Sequence, residues 1–130
     1  MILCVYWAFI YLLTHIPNVD RYAPEAWRFQ NVDKLVHFGM YAGWTVLWWW
    51  LLSCGGRRVS PLAIRWILVG GALYGAFDEL TQGIVGRTPD LVDWACNMAA
   101  VVLVTAVLSA WQNRQRTTSV VLRQDTNTLD

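Results

Sequence analysis

The chain has 130 residues, enough for one domain. Apolar residues make up 56% of it and charged residues 15%, against about 25% charged in soluble domains. Ten basic and nine acidic residues are too few to cover so small a soluble globule, and the apolar content excludes disorder for most of the chain.

In chain order, residues 1–19 carry no Asp, Glu, Lys or Arg, and residues 1–16 predict a first helix ending before Pro17. It has no basic leader and no small-residue cleavage site, so it is expected to be a retained anchor rather than a signal peptide. A polar connection follows to Asp33. Residues 35–56 are free of charge and predict a second helix over 33–53. The Gly55–Gly56 turn leads into a third helix over 61–82, which keeps Arg65 near one end and Asp78 and Glu79 near the other. Gly83 to Pro89 is a short turn, and residues 94–113, again charge-free, predict a fourth helix over 90–111. Since about 20 apolar residues span a bilayer, the expected fold is all-α. It is a polytopic membrane bundle of four transmembrane helices over 1–111, with a polar, flexible tail over 112–130.

Arg57, Arg58, Arg65, Arg114, Arg116 and Arg123 fall on one side of this topology, and Arg21, Arg28, Lys34 and Arg87 on the other. Positive charge concentrates on the cytoplasmic side, so both termini are expected there. Trp48, Trp49, Trp50, Trp66 and Trp111 would then collect at the inner interface. Gly39 with Gly43, and Gly71 with Gly75, have the spacing that lets helices approach closely in lipid. Cys4, Cys54 and Cys96 are expected to be packing residues within helices, with no disulfide. The net charge of +1 and scattered arginines predict no nucleic-acid partner.

The polar residues converge on the outer end. Asp33, Lys34 and His37 start the second helix, and Asp78, Glu79 and Gln82 end the third. Arg87 lies in the outer turn, and Asp90, Asp93 and Asn97 start the fourth helix. Asp33 and His37 are four residues apart, and Tyr41 and Thr45 continue their face. Asp33, Asp90 and Asp93 also suit helix N-termini, where negative charge meets the helix dipole. Glu79 ends the glycine face of its helix, where the dipole opposes its charge. It is therefore expected inward with Arg87, or else Lys34, as its cation, and Asp78, about 100° away, is expected toward the interface or a basic partner.

The segments Asp33–Lys34–Leu35–Val36–His37–Phe38, Glu79–Leu80–Thr81–Gln82, Arg87 and Asp93–Trp94–Ala95–Cys96–Asn97 resemble the VanZ-like membrane protein family. That family shows D-K-x-x-H-F opening one helix, E-x-x-Q closing the next, then an arginine and D-x-x-x-N. The family often has a proline before the arginine, where this chain has Gly86. The resemblance implies a small four-helix membrane protein of bacteria. The family's namesake is associated with low-level resistance to the glycopeptide teicoplanin.

Two functions remain open. Asp33, Lys34, His37, Glu79, Gln82, Arg87, Asp93 and Asn97 would bind the anionic headgroup of a cell-envelope lipid or a glycopeptide, or hold the helices together through polar pairs. Alternatively, Glu79, His37 and Asp93 would supply acid–base catalysis on a lipid-linked or envelope substrate. A transporter is disfavoured because no internal repeat is present. No cofactor is implied, and no metal is expected in the absence of a spacing such as H-E-x-x-H.

Overall fold

The computed structural model describes residues 2–16, 32–86 and 88–127. The connection expected over 17–31 and Arg87 lie outside these residues. Among the described residues are four α-helices and no strand: α1 (Ile2–Thr14), α2 (Val32–Ser53), α3 (Pro61–Gln82) and α4 (Leu91–Asn127).

Local signals set several boundaries. Ser60 caps α3, its hydroxyl accepting from the Ala63 N–H at 3.1 Å, and Pro61 occupies the first turn, where a missing N–H costs nothing. Gly55 and Gly56 both take positive φ, 76° and 74°, which lets the chain reverse between α2 and α3. The α4 helix does not stop at Trp111 as expected but continues to Asn127. The segment beyond Trp111 is polar, yet it holds no glycine or proline to end a helix. Its Gln112 side chain also ties α4 to the α2–α3 turn, accepting from the Val59 N–H at 3.0 Å and donating to the Val59 carbonyl at 3.2 Å.

The α4 helix packs most extensively on α2 and next on α3, while α1 lies across α2 and α3. The core comprises Ile10, Met40, Tyr41, Trp44, Trp49, Val59, Ile67, Tyr74, Ala100 and Val101. Trp49 is thus a core residue rather than an interfacial ring, whereas Trp50, Trp66 and Trp111 are exposed. The cysteines are unpaired, but Cys4 and Cys54 are exposed and only Cys96 is partly packed.

Three of the four spaced glycines mark close approaches. A Cβ on Gly71 would meet the Val101 methyls at 3.0 and 3.1 Å and the Trp44 ring at 3.4 Å. One on Gly75 would meet Trp94 at 3.3 Å and Tyr41 at 3.6 Å. Gly43 lies under the Tyr6 hydroxyl, which donates to the Met40 carbonyl at 2.8 Å and docks α1 on α2. Gly39 has open space around it.

Among the described residues, one helix, Leu91–Thr118 within α4, is long and apolar enough to cross a membrane, with a mean hydropathy of 2.0. Ile2–Thr14 is a shorter apolar helix.

Gly71→Ala should destabilise the bundle, because β-branched Val101 is buried in a helix and has little rotamer freedom to yield. Overpacking of this kind costs about 1–3 kcal/mol, whereas Gly39→Ala should leave stability unchanged or raise it. Thermal unfolding midpoints of the two variants in detergent check this.

Candidate functional site

The face predicted for α2 is the one it buries: His37, Tyr41 and Thr45 are enclosed, and the Thr45 hydroxyl donates to the Tyr41 carbonyl at 2.8 Å. Asp33 and Lys34, at the start of the helix, are more open. From α3 come Asp78, Glu79 and Gln82, and from α4 Asp93 and Asn97, all buried. The structure therefore brings three helix ends together, as the sequence led one to expect, with Arg87 outside the described residues.

Of the two cations expected for Glu79, Arg87 lies outside the described residues and Lys34 pairs elsewhere. Lys34 Nζ donates to Asp93 Oδ1 at 2.9 Å and to Asp90 Oδ2 at 3.3 Å. It therefore serves the start of α4 and is not the cation of Glu79. Instead, Glu79 Oε2 accepts from the Asp90 N–H at 3.2 Å, and Glu79 Oε1 lies 3.9 Å from His37 Nδ1. On the other side of the imidazole, His37 Nε2 is 3.9 Å from Asp33 Oδ1. An imidazole thus stands between two carboxylates, each gap longer than a hydrogen bond of about 2.7–3.2 Å.

Asp90 performs the capping role suggested for it. Its Oδ1 accepts from the Val92 N–H at 2.8 Å. That N–H, together with the Lys34 ammonium, holds the Asp90 carboxyl below its ordinary pKa.

Asp78 does not turn toward the interface. It is 0% exposed because α1 packs across this end of α3, so both sides of the last turn face protein. Its Oδ1 accepts from the Thr14 hydroxyl at 2.7 Å and lies 3.8 Å from His15 Nδ1. His15 Nδ1 sits 2.8 Å from the Tyr11 carbonyl, to which it donates, and Nε2 lies 3.0 Å from the Thr81 hydroxyl oxygen. Thr14 and His15 were absent from the sequence-derived site. Their signal was a polar Thr–His pair closing an otherwise apolar helix.

Several buried polar atoms have no hydrogen-bond partner among the described residues: His37 Nδ1, Tyr41 OH, Asp78 Oδ2, Glu79 Oε1, Gln82 Nε2 and both amide atoms of Asn97. Leaving one such atom unpaired costs about 1–3 kcal/mol. Six residues from two helix starts and a helix end share that condition here, so the cluster is chemically unsaturated. Two sets of side chains, Asp33 with His37 and Asp93, and His37 with Asp78 and Glu79, bring metal-ligating atoms within 4.8 Å of one another. A separate apolar cavity of about 220 Å³ lies between Trp7, Trp44, Trp48, Trp66 and Ile67.

Thr14→Val should cost about 1–3 kcal/mol by stranding Asp78, and much less in an Asp78→Ala background. A double-mutant cycle on unfolding midpoints reads that coupling. Because the folded pKa of Asp90 is depressed, its contribution is complete above its unfolded value, near pH ~4, and is lost as pH falls through the folded value. Asp90→Asn keeps the cap and should flatten that acid limb in a stability–pH profile.

Comparison with protein-family models, with curated proteins and with solved structures finds no match to this chain.

Proposed function

We propose that this is a VanZ-like multi-pass membrane protein. Its four helices form a transmembrane bundle with both termini in the cytoplasm. The cluster at the extracytoplasmic ends of α2, α3 and α4 receives the headgroup of a cell-envelope lipid or glycopeptide.

The observation that carries this reading is the inverted polarity of α3. Leu62, Trp66, Val69, Leu73, Phe77 and Leu80 recur at helical spacing and are exposed, while Asp78, Glu79 and Gln82 are buried. A helix in water does the reverse. In a bilayer the arrangement is the expected one, with apolar side chains toward lipid and ionisable groups toward the bundle interior. At 1.5 Å per residue, the 22 residues of α2 and of α3 extend about 33 Å, matching a hydrocarbon core of about 30 Å.

The headgroup chemistry follows from what surrounds it. The described part of the cluster holds five carboxylates, Asp33, Asp78, Glu79, Asp90 and Asp93, against the ammonium of Lys34, which Asp90 and Asp93 already hold. Hydroxyl and amide groups of a sugar or peptide, or an anion bridged by a cation, complement such a site better than a bare phosphate does. The unpartnered Tyr41, Gln82 and Asn97 atoms offer both donors and acceptors to it. A second reading, acid–base catalysis on an envelope substrate, is favoured by the His37 imidazole flanked by Asp33 and Glu79.

Reporter fusions after Ser60 and within the C-terminal tail should read as cytoplasmic, and one after Tyr22 as external. An external C-terminus would move the cluster to the cytoplasmic face and defeat the envelope reading. The full chain, extracted from bacterial membranes, should retain envelope lipid detectable by mass spectrometry. Glu79→Gln and Asn97→Ala should each reduce that retention at unchanged membrane level. Equal retention by both variants would reject the headgroup site, and turnover of the added lipid extract by wild type alone would select the catalytic reading.

A further inference from the structure

We propose that His37, Asp78 and Glu79 form a binding site for a divalent first-row transition-metal cation of the Zn²⁺ or Mn²⁺ kind. The site rests on the arrangement of these side chains and does not depend on which headgroup the cluster receives.

The first argument is distance. The ligating atoms of the three residues lie within 4.8 Å of one another, and all three residues are buried. The separation of His37 Nδ1 from Glu79 Oε1 is 3.9 Å. That is too long for a hydrogen bond. Tetrahedral metal–ligand bonds of about 2.0–2.2 Å place neighbouring ligands roughly 3.3–3.6 Å apart, so an ion has to draw these two atoms only about 0.3–0.6 Å closer.

The second argument is the way each side chain is held. Glu79 is anchored through Oε2 by the Asp90 N–H, which leaves Oε1 unpartnered among the described residues. Asp78 is anchored through Oδ1 by the Thr14 hydroxyl, which leaves Oδ2 unpartnered. His37 Nδ1 is unpartnered too, at 1% exposure, while Nε2 faces Asp33 Oδ1. Metal-binding carboxylates and imidazoles share this pattern, in which one atom of each group is fixed by a neighbour and the other is left for the ion. A carboxylate behind the distal ring nitrogen sets the tautomer that a metal-bound Nδ1 requires.

The third argument is charge. Asp78 and Glu79 are adjacent and buried, and Lys34 is engaged by Asp90 and Asp93. A dication meets both carboxylates at once, and one imidazole with two carboxylates is a donor set suited to Zn²⁺ or Mn²⁺ rather than to Cu⁺ or Ca²⁺. Asp33 and Asp93 also approach His37. Asp93 is bound to Lys34, however, and Asp33 is half exposed, so neither is assigned to the ion, and Asp33 stands behind Nε2 of the imidazole. Three protein ligands leave at least one coordination position open to water or to an incoming oxygen.

The test uses the full chain, purified in detergent through a tag without histidines, after growth with added Zn²⁺ and Mn²⁺. Elemental analysis after dialysis against metal-free buffer should find about one equivalent of a single divalent metal per chain. Glu79→Gln and His37→Gln should each lose most of it, with helical content by circular dichroism as the folding control. Asp33→Asn should retain binding but weaken it by about 10–100-fold, which separates orientation of His37 from ligation. Co²⁺ titration of the wild-type chain supplies a readout free of mutants: visible d–d bands should saturate at one equivalent and be displaced by Zn²⁺. Wild type that stays metal-free and shows no saturable Co²⁺ spectrum would overturn the proposal. So would metal retained equally by Glu79→Gln and His37→Gln.

Discussion

The close approach of α2, α3 and α4 at Gly71 and Gly75 is the constraint on which the rest of the structure depends. With no side chains there, Val101 and Trp94 of α4 and Trp44 and Tyr41 of α2 come to within 3.0–3.6 Å of where a Cβ would stand. The contact needs no strained backbone, only hydrogen in place of methyl. The next turn of α3 carries Asp78 and Glu79. Helices drawn together at Gly75 therefore have their polar ends drawn together as well, and Glu79 reaches both His37 and the Asp90 backbone.

The polarity of the interior changes along the bundle axis. Toward the α2–α3 turn it is aromatic and apolar, with Trp44, Trp49, Ile67 and the cavity beside Trp7 and Trp66. Toward the other end it becomes ionisable, with His37, Asp78, Glu79, Asp93 and Asn97. The α1 helix closes the aromatic side by stacking Trp7 on Tyr74, whose hydroxyl donates to the Trp7 carbonyl at 3.0 Å. It closes the polar side by delivering Thr14 and His15 to Asp78. A short helix thus seals both regions, which is why Asp78 has no route to solvent.

Charge placement within the cluster is asymmetric. Lys34 bridges Asp90 and Asp93, and Asp90, at the rim, also caps α4. The deeper His37, Asp78 and Glu79 have atoms left over. Paired rim charges hold α2 to α4 in a fixed register, while the unsaturated groups beneath them retain capacity for a further partner. In the proposed reading, structural and binding roles are divided between neighbouring residues of the same helices.

Much of this was legible in the sequence because its signals are local. The start of α3 follows from Ser60 and Pro61, and the chain leaves the helical path at Gly86, whose φ is 80°; the charge-free runs and the spacing of Asp33, His37, Tyr41 and Thr45 indicate the helices and the face that α2 buries. What only the tertiary structure decided concerns rotation and neighbours. By its angle to Glu79, Asp78 reads as turned toward the interface or a basic partner; α1 covers that side of α3, encloses the carboxylate and brings His15 to 3.8 Å from it. Lys34 and Glu79 were plausible partners by charge, yet the packing of α2 on α4 gives the ammonium to Asp90 and Asp93 instead. Thr14 and His15 could not be placed, because their contacts cross more than sixty positions of chain. Helix limits depend on caps and breakers within a turn, whereas the pairing of side chains depends on how whole helices turn about their axes when they pack.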